Sequence, residues 1–311
     1  MLQVYDRSGW GLLELAGNDR SRFLHNQTTN NINGLQPGQG CDTVFVTSTA
    51  RTIDLATVYA TPDSLLIVVS PQRREYLMQW MDKYIFPMDK VSLRDISGDY
   101  SIVTIIGEDA RGLLISIGLP VDNLEEVYGN NALIEGVYVA FGTELGLPGY
   151  TLLIPAAKKQ EVWEKLKTGG IHIIDDHTWE TLRIQQGRPA PDQELGENYN
   201  ALEAGLWNCI SFDKGCYIGQ ETIARLNTYK GVKQQLQGVR LSGYVQPPAQ
   251  VLQDGAKIGV LTSCVETGEG AIGLAYIRTK SLSENLTVNV GEQEGVLTPV
   301  TFGAYTPPEK A

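Results

Sequence analysis

The segment that offers the most chemistry is Asp213-Lys214-Gly215-Cys216-Tyr217-Ile218-Gly219-Gln220-Glu221. A lysine two positions before a cysteine can favour the thiolate by its positive charge, and the thiolate is the nucleophilic form. The glycines permit backbone conformations in which a ligand can approach closely. Free cysteine is also commonly a small buried apolar residue. The local pattern therefore predicts either a reactive thiol at Cys216 or a tight structural turn.

Basic residues gather near this segment although the chain as a whole is acidic, with a formal charge of −11 and a pI near 4.8. Such a cluster could hold an anionic ligand. We favour a binding role for Lys214 and Arg225, and a solvated surface role for Lys230 and Lys233. The net negative charge argues against non-specific binding of nucleic acid, because the phosphates would be repelled. The basic cluster comprises Arg183, Arg188, Lys214, Arg225, Lys230 and Lys233.

Asp54 lies in the β-rich stretch Thr52-Ile53-Asp54-Leu55-Ala56. An acidic residue among apolar ones either faces solvent or lies in a site, and strand alternation predicts the solvent face. The histidines and cysteines lack the spacing of metal ligands, so no metal site is expected. Dinucleotide-binding, Walker A and nucleophile-elbow motifs are absent as well.

The elements that must position these residues are mixed without strict βαβ alternation, which predicts an α+β fold. Helices are expected after a cap at Asn18, from Ser70-Pro71, from Pro155, and from Asp175 or Asp176 to about residue 186. Periodicity predicts strands at 10–16, 52–60, 64–69, 101–106, 137–141 and 150–154.

The pattern changes near residue 235, where short β segments separated by turns predict a small β-barrel. These segments are 236–241, 256–262, 271–276, 286–290 and 300–302. We therefore expect two domains, residues 1–234 with two α+β lobes and residues 235–311 as the barrel.

Composition places the chain among ordinary globular proteins, with 311 residues, 42% hydrophobic and 20% charged. Four scattered cysteines indicate reduced thiols rather than a disulfide framework. No signal peptide or membrane-spanning segment is expected. These features favour a cytoplasmic monomer, although a mature organellar protein would have the same features.

Lys214 to Glu221 resembles the K-G-C-[FY]-x-G-Q-E signature of the YgfZ family of folate-binding proteins at all eight positions. Other stretches agree with the same family and with the related glycine-cleavage T-proteins. They are Phe23 to Asn30, Leu147 to Tyr150, Leu182 to Pro189, and Ile258 to Ser263.

The resemblance implies a T-protein-like fold of three lobes around a central hole, with tetrahydrofolate or a one-carbon derivative bound in that hole. It implies that Cys216 and Lys214 matter for activity, together with Asp54. The residues expected to bind folate are Asp54, Tyr150, Arg183, Gln185, Lys214, Tyr217 and Arg225.

By resemblance, the function is that of an accessory protein for iron–sulfur cluster synthesis or repair in client enzymes, including enzymes that modify tRNA. Two alternatives stay open: a folate-dependent aminomethyltransferase, and a non-catalytic scaffold with a vestigial folate pocket. Gln185 occupies the position at which T-proteins carry a glutamate that binds the pterin ring. The loss of this charge counts against the aminomethyltransferase alternative. Asp54 keeps the place of an aspartate that T-proteins have beside the reactive folate nitrogen.

Overall fold

The structure, a computed structural model, describes residues 1–283 and 285–306. Its helices are α1 (Arg20–Gln27), α2 (Arg74–Asp82), α3 (Ala110–Ser116), α4 (Lys159–Thr168), α5 (Asp176–Gln186) and α6 (Gln220–Thr228). Its strands are β1 (Gln3–Asp6), β2 (Gly11–Ala16), β3 (Gly40–Val46), β4 (Thr52–Ala60), β5 (Ser64–Val69), β6 (Ser92–Asp95), β7 (Tyr100–Ile106), β8 (Asn131–Ile134), β9 (Val137–Phe141), β10 (Gly149–Pro155), β11 (His172–Ile173), β12 (Gln234–Leu241), β13 (Ala249–Gln253), β14 (Ala256–Thr267), β15 (Gly270–Arg278), β16 (Thr287–Val290) and β17 (Gln293–Thr298).

Contacts within the chain divide it into two compact units. The first comprises Met1–Thr43 and Leu55–Asp175, and the second comprises Val44–Asp54 and Asp176–Ala311. The far end of the β3–β4 hairpin, which carries Asp54, thus belongs to the second unit. The boundary expected between residues 234 and 235 coincides with the start of β12, and as a domain boundary it stays a prediction.

The first unit is built on two sheets, ordered β3-β4-β5-β2-β6 and β11-β1-β7-β10-β9-β8. The run Ser64–Val69 forms β5 and is buried throughout, as its uninterrupted apolar sequence predicts. Helices α3 and α4 cover the six-stranded sheet, where Leu114 and Leu166 pack against Val103 and Leu152. Helix α1 begins after Asp19 and not after Asn18, so the expected cap was wrong by one residue.

The second unit ends in a closed barrel with strand order β12-β15-β14-β13-β16-β17. The predicted α+β class with a C-terminal β-barrel is confirmed. The barrel core consists of aliphatic side chains such as Val251, Leu261 and Ile277, which are fully buried. Strands β13 and β17 were missed because Pro247-Pro248 and Gly295 look like breakers, and the segment predicted at 300–302 forms no strand.

Among the helices in the part of the chain that the structure describes, none combines the length and the apolar character needed to cross a membrane.

Candidate functional site

The residues Asp213–Gly219, which we call the signature turn, lead directly into α6. Cys216 is exposed in this turn. The ammonium of Lys214 lies 4.6 Å from the centre of the Tyr217 ring, a distance at which the ring attracts a cation. Burial raises the pKa of Tyr217 to about 12, so its phenol stays protonated at neutral pH. The turn thus carries an exposed thiol and, two positions earlier, a cation that lies over a neutral aromatic ring.

Gly219 holds the signature turn against the end of the β3–β4 hairpin. Its φ of +82° lies in the left-handed region, which favours glycine. A Cβ at this position would lie 2.7 Å from the carbonyl oxygen of Thr47 and 3.0 Å from Cγ2 of Val46. Only a residue without a side chain permits this approach, so the glycine of the motif brings together two segments that are far apart in sequence.

Asp54 is fully buried on β4, so the solvent-facing position predicted by alternation is wrong. The reason is that every residue of β4 is buried and the strand therefore has no solvent face. Thr52 lies two residues earlier and hence on the same face of the strand as Asp54. Its hydroxyl oxygen accepts a hydrogen bond of 2.9 Å from the Gly196 amide, and its own amide donates to the Tyr199 carbonyl at 3.2 Å. The loop at 196–199 covers this end of the strand.

Arg183 was predicted to bind folate, and the structure places it in a buried polar network. Its Nε and Nη2 donate to Glu180, and its Nη1 donates to Glu194 at 3.0 Å. Nη1 also donates to the Arg188 carbonyl, and Nη2 to the Ser263 hydroxyl on β14. Burial opposes the charge, but the attraction and the hydrogen bonds of Glu194 and Glu180 together outweigh it and raise the pKa of Arg183. All three guanidinium nitrogens are engaged, and the side chain ties α5 to the barrel.

The other predicted ligand residues lie in different surroundings. Gln185 is exposed on α5, and Arg225 is exposed on α6. Tyr150 belongs to the first unit, where its ring is 2% exposed and packs edge-on against Phe141 at 5.4 Å. The structure thus groups Lys214, Cys216 and Tyr217 in one turn, and their role in ligand binding stays a prediction.

A cleft of about 460 Å³ lies beside the Arg183 network and was missed in the sequence. Tyr199 forms one wall and stacks on Tyr276, with ring centres 3.7 Å apart. The half-buried thiol of Cys264 also faces the cleft, and burial raises its pKa. Tyrosines more than 70 positions apart carry no local signal that they will stack. The only local signal near the cleft is the acidic pair Asp192 and Glu194. In the structure the hydroxyls of Thr262 and Ser263 on β14 donate hydrogen bonds to Glu194.

Within residues 1–283 and 285–306, no group of three or more His, Cys, Asp and Glu side chains is arranged to hold a metal ion.

Comparison with known proteins agrees with this fold. Residues 2–214 match the family described as GCVT N-terminal domain. A chloroplastic protein of Arabidopsis thaliana, described as a candidate transferase, is 41% identical over 99% of this chain and 73% of its own length. The aminomethyltransferase of Oceanobacillus iheyensis is 26% identical over 94% of this chain and 84% of its own length.

Among solved structures, the glycine cleavage system aminomethyltransferase T from Bartonella henselae superimposes with a TM-score of 0.86. It covers 98% of this chain and 87% of its own length, at 16% identity, which establishes a shared fold. The fold is therefore that of the aminomethyltransferase T-proteins. This chain belongs to the GCVT N-terminal domain family.

Proposed function

We propose that this chain binds tetrahydrofolate, or a one-carbon derivative of it, and acts as a YgfZ-type accessory protein in the synthesis or repair of iron–sulfur clusters. The observation that carries the proposal is the signature turn. Its exposed Cys216 and adjacent Lys214 are packed, through Gly219, on the hairpin whose second strand carries the buried Asp54. The full match of this turn to the YgfZ signature supports that family over other members of the T-protein class.

Two exposed residues, Gln185 and Arg225, and the half-buried Lys214 have the chemistry that folate requires. The amide oxygen of Gln185 can accept a hydrogen bond from the pterin ring, and Lys214 and Arg225 can pair with the carboxylates of the tail. We leave Arg183 out of the proposed set, because its donors are engaged by Glu180, Glu194 and Ser263. When bound, tetrahydrofolate supplies nitrogen atoms that carry one-carbon units.

In this proposal Cys216 and Lys214 act at the surface. The exposed thiol is accessible to a client protein, and the ammonium beside it can attract an anionic group of that client. Asp54 is a binding or positioning residue, because its carboxylate is buried in the strand on which the signature turn packs.

The second candidate is a folate-dependent aminomethyltransferase. Several relatives of about 26% identity bear that name, which favours it. The neutral Gln185 counts against it, because it removes the charge that would pair with the ring donors of the pterin. Ammonia release from an aminomethyl-lipoyl carrier protein in the presence of tetrahydrofolate would establish the transferase and displace the accessory role.

Anaerobic calorimetry with tetrahydrofolate tests the ligand. We expect micromolar or tighter binding, equivalent to about 8 kcal/mol, and at least tenfold weaker binding for Asp54→Asn. Asp63→Asn, which changes an exposed carboxylate of the first unit, is the matched control and is expected to bind like the unsubstituted protein. Absence of binding at millimolar tetrahydrofolate would replace the proposal with the scaffold alternative.

The accessory role has a separate test at Cys216. Cys216→Ser is expected to bind tetrahydrofolate normally and to fail to restore iron–sulfur enzyme activity in cells that lack this protein. Cys264→Ser, at the half-buried thiol of the barrel, is the control and is expected to restore that activity. Full restoration by Cys216→Ser would contradict a role for the thiol.

A further inference from the structure

A second groove, outside the site described above, lies where the α6–β12 connection meets the end of β15. Its volume is about 610 Å³, within the range of ligand-binding pockets. We call it the basic groove. Its lining residues are Glu203, Val232, Lys233, Gln234, Arg278, Thr279 and Lys280.

Three cations stand on the rim of the basic groove. Lys233, Arg278 and Lys280 are all exposed. Among the described residues, none of the three forms an ion pair within 4.0 Å or a side-chain hydrogen bond. Lys233 is also attracted to the Glu203 carboxylate. Three exposed cations around one concavity nevertheless form a local positive patch on a chain with a net charge of −11.

The backbone holds these cations together. Gln234 of β12 pairs in register with Arg278 of β15. The Thr279 amide donates to the Lys233 carbonyl at 2.9 Å, and its hydroxyl donates to the Val232 carbonyl at 3.0 Å. The backbone positions of Lys233 and Arg278 are therefore fixed close to each other by the strand pairing and by Thr279. An anionic partner would relieve their repulsion at little cost in ordering the groove.

The floor of the groove distinguishes between kinds of anion. Glu203 is 9% exposed and accepts a hydrogen bond of 3.2 Å from the Asn200 amide. A carboxylate at this place repels a phosphodiester, whose charged group has no hydrogen-bond donor. A peptide offers a backbone N–H that can donate to Glu203 and acidic side chains that can reach the cations. Val232 and the aliphatic stems of the lysines add an apolar wall for the peptide.

We propose that the basic groove docks an acidic peptide segment of a partner protein. The proposal is independent of tetrahydrofolate, because none of the lining residues belongs to the signature turn or to the residues expected to bind folate.

The test is fluorescence anisotropy with a fluorescein-labelled octapeptide of alternating glutamate and valine, using the full chain. The Lys233→Gln/Lys280→Gln double variant is expected to bind about tenfold more weakly than the unsubstituted protein. The control is Arg240→Gln/Lys257→Gln, which removes the same charge from exposed barrel positions outside the groove and is expected to change affinity less than twofold. A peptide of alternating glutamine and valine is expected not to bind.

Three results would overturn the proposal: no binding of the acidic peptide at millimolar concentration, equal losses in the two double variants, or tighter binding of a labelled uridine octanucleotide through the same lysines. Tetrahydrofolate calorimetry on Lys233→Gln/Lys280→Gln is expected to match the unsubstituted protein. Failure of the docking proposal is thereby distinguished from failure of folate binding.

Discussion

At the scale of single residues, the buried charges of each unit are held by fixed partners. In the first unit, Arg7 pairs with Glu144 at 2.6 Å and lies over the ring of Trp10 at 3.9 Å. In the second unit, Arg183 pairs with Glu194 at 3.0 Å. Arg7 and Glu144 are 137 positions apart along the chain, and Arg183 pairs from α5 with Glu194 in the loop that follows it. Removal of one partner leaves the other charge buried and uncompensated, which lowers the free energy of unfolding. The first role of these residues is therefore to stabilise the fold.

Substitution of Arg183 tests this interpretation. Arg183→Met leaves Glu194 buried without its cation, and we expect a loss of about 3–5 kcal/mol in the free energy of unfolding. Arg225→Met, on the exposed face of α6, is expected to cost about 0.5 kcal/mol or less. Equilibrium unfolding in urea measures both. If the two variants were equally stable and only Arg183→Met lost tetrahydrofolate, Arg183 would be a ligand residue as the resemblance implies.

At the scale of elements, the feature that matters most is the contact between the signature turn and the β3–β4 hairpin. Gly219 starts α6 from a left-handed conformation, and Ala50 in the hairpin end also has a positive φ, of 60°. Such conformations are strained for residues with side chains, and they persist where surrounding contacts hold them. The contact therefore depends on the backbone of both segments.

Gly219→Ala is expected to lower the free energy of unfolding by about 1–3 kcal/mol, because the left-handed conformation and the approach to the Thr47 carbonyl both penalise a Cβ. Gly215→Ala in the same turn is the control, since a Cβ there meets no atom within 4 Å. We expect its effect to be under about 1 kcal/mol. Urea unfolding compares the two, and limited proteolysis of the turn should be faster only in Gly219→Ala. Equal stability of the two variants would show that the turn does not depend on this approach.

At the scale of the whole molecule, the protein combines a strong net negative charge with a few buried acids. Glu203 is one of them, and burial raises its pKa above the ordinary value of 4.5. The folded protein therefore holds this proton more tightly than the unfolded chain does. The stabilisation is fully present below pH 4.5 and is lost as the pH rises through the raised pKa.

Glu203→Gln removes this titration while keeping an acceptor for the Asn200 amide. We expect the variant to gain stability relative to the unsubstituted protein as the pH rises from about 4 to 7. Glu269→Gln, at an exposed turn of the barrel, is expected to follow the unsubstituted protein. Urea unfolding at several pH values measures the difference. A constant difference across this range would show that Glu203 titrates normally.

The fold class and most elements followed from local patterns in the sequence. The continuous apolar run of β5, the proline-started segment leading to α2 and four of the six barrel strands, β12, β14, β15 and β16, were predicted. These patterns are informative because burial of a strand or of one helix face restricts which residues can occupy it. The full signature from Lys214 to Glu221 also predicted a YgfZ-type family and a reactive thiol or a structural turn, and these stay predictions.

Only the tertiary structure shows the surroundings of the polar residues. The sequence could not show that Arg183 lies in a buried network, because its partners Glu194 and Ser263 are 11 and 80 positions away. Nor could alternation predict that Asp54 is buried, because both faces of β4 are covered. Local sequence determines which conformations a segment prefers, whereas burial and pairing depend on segments that the chain brings together only when it folds.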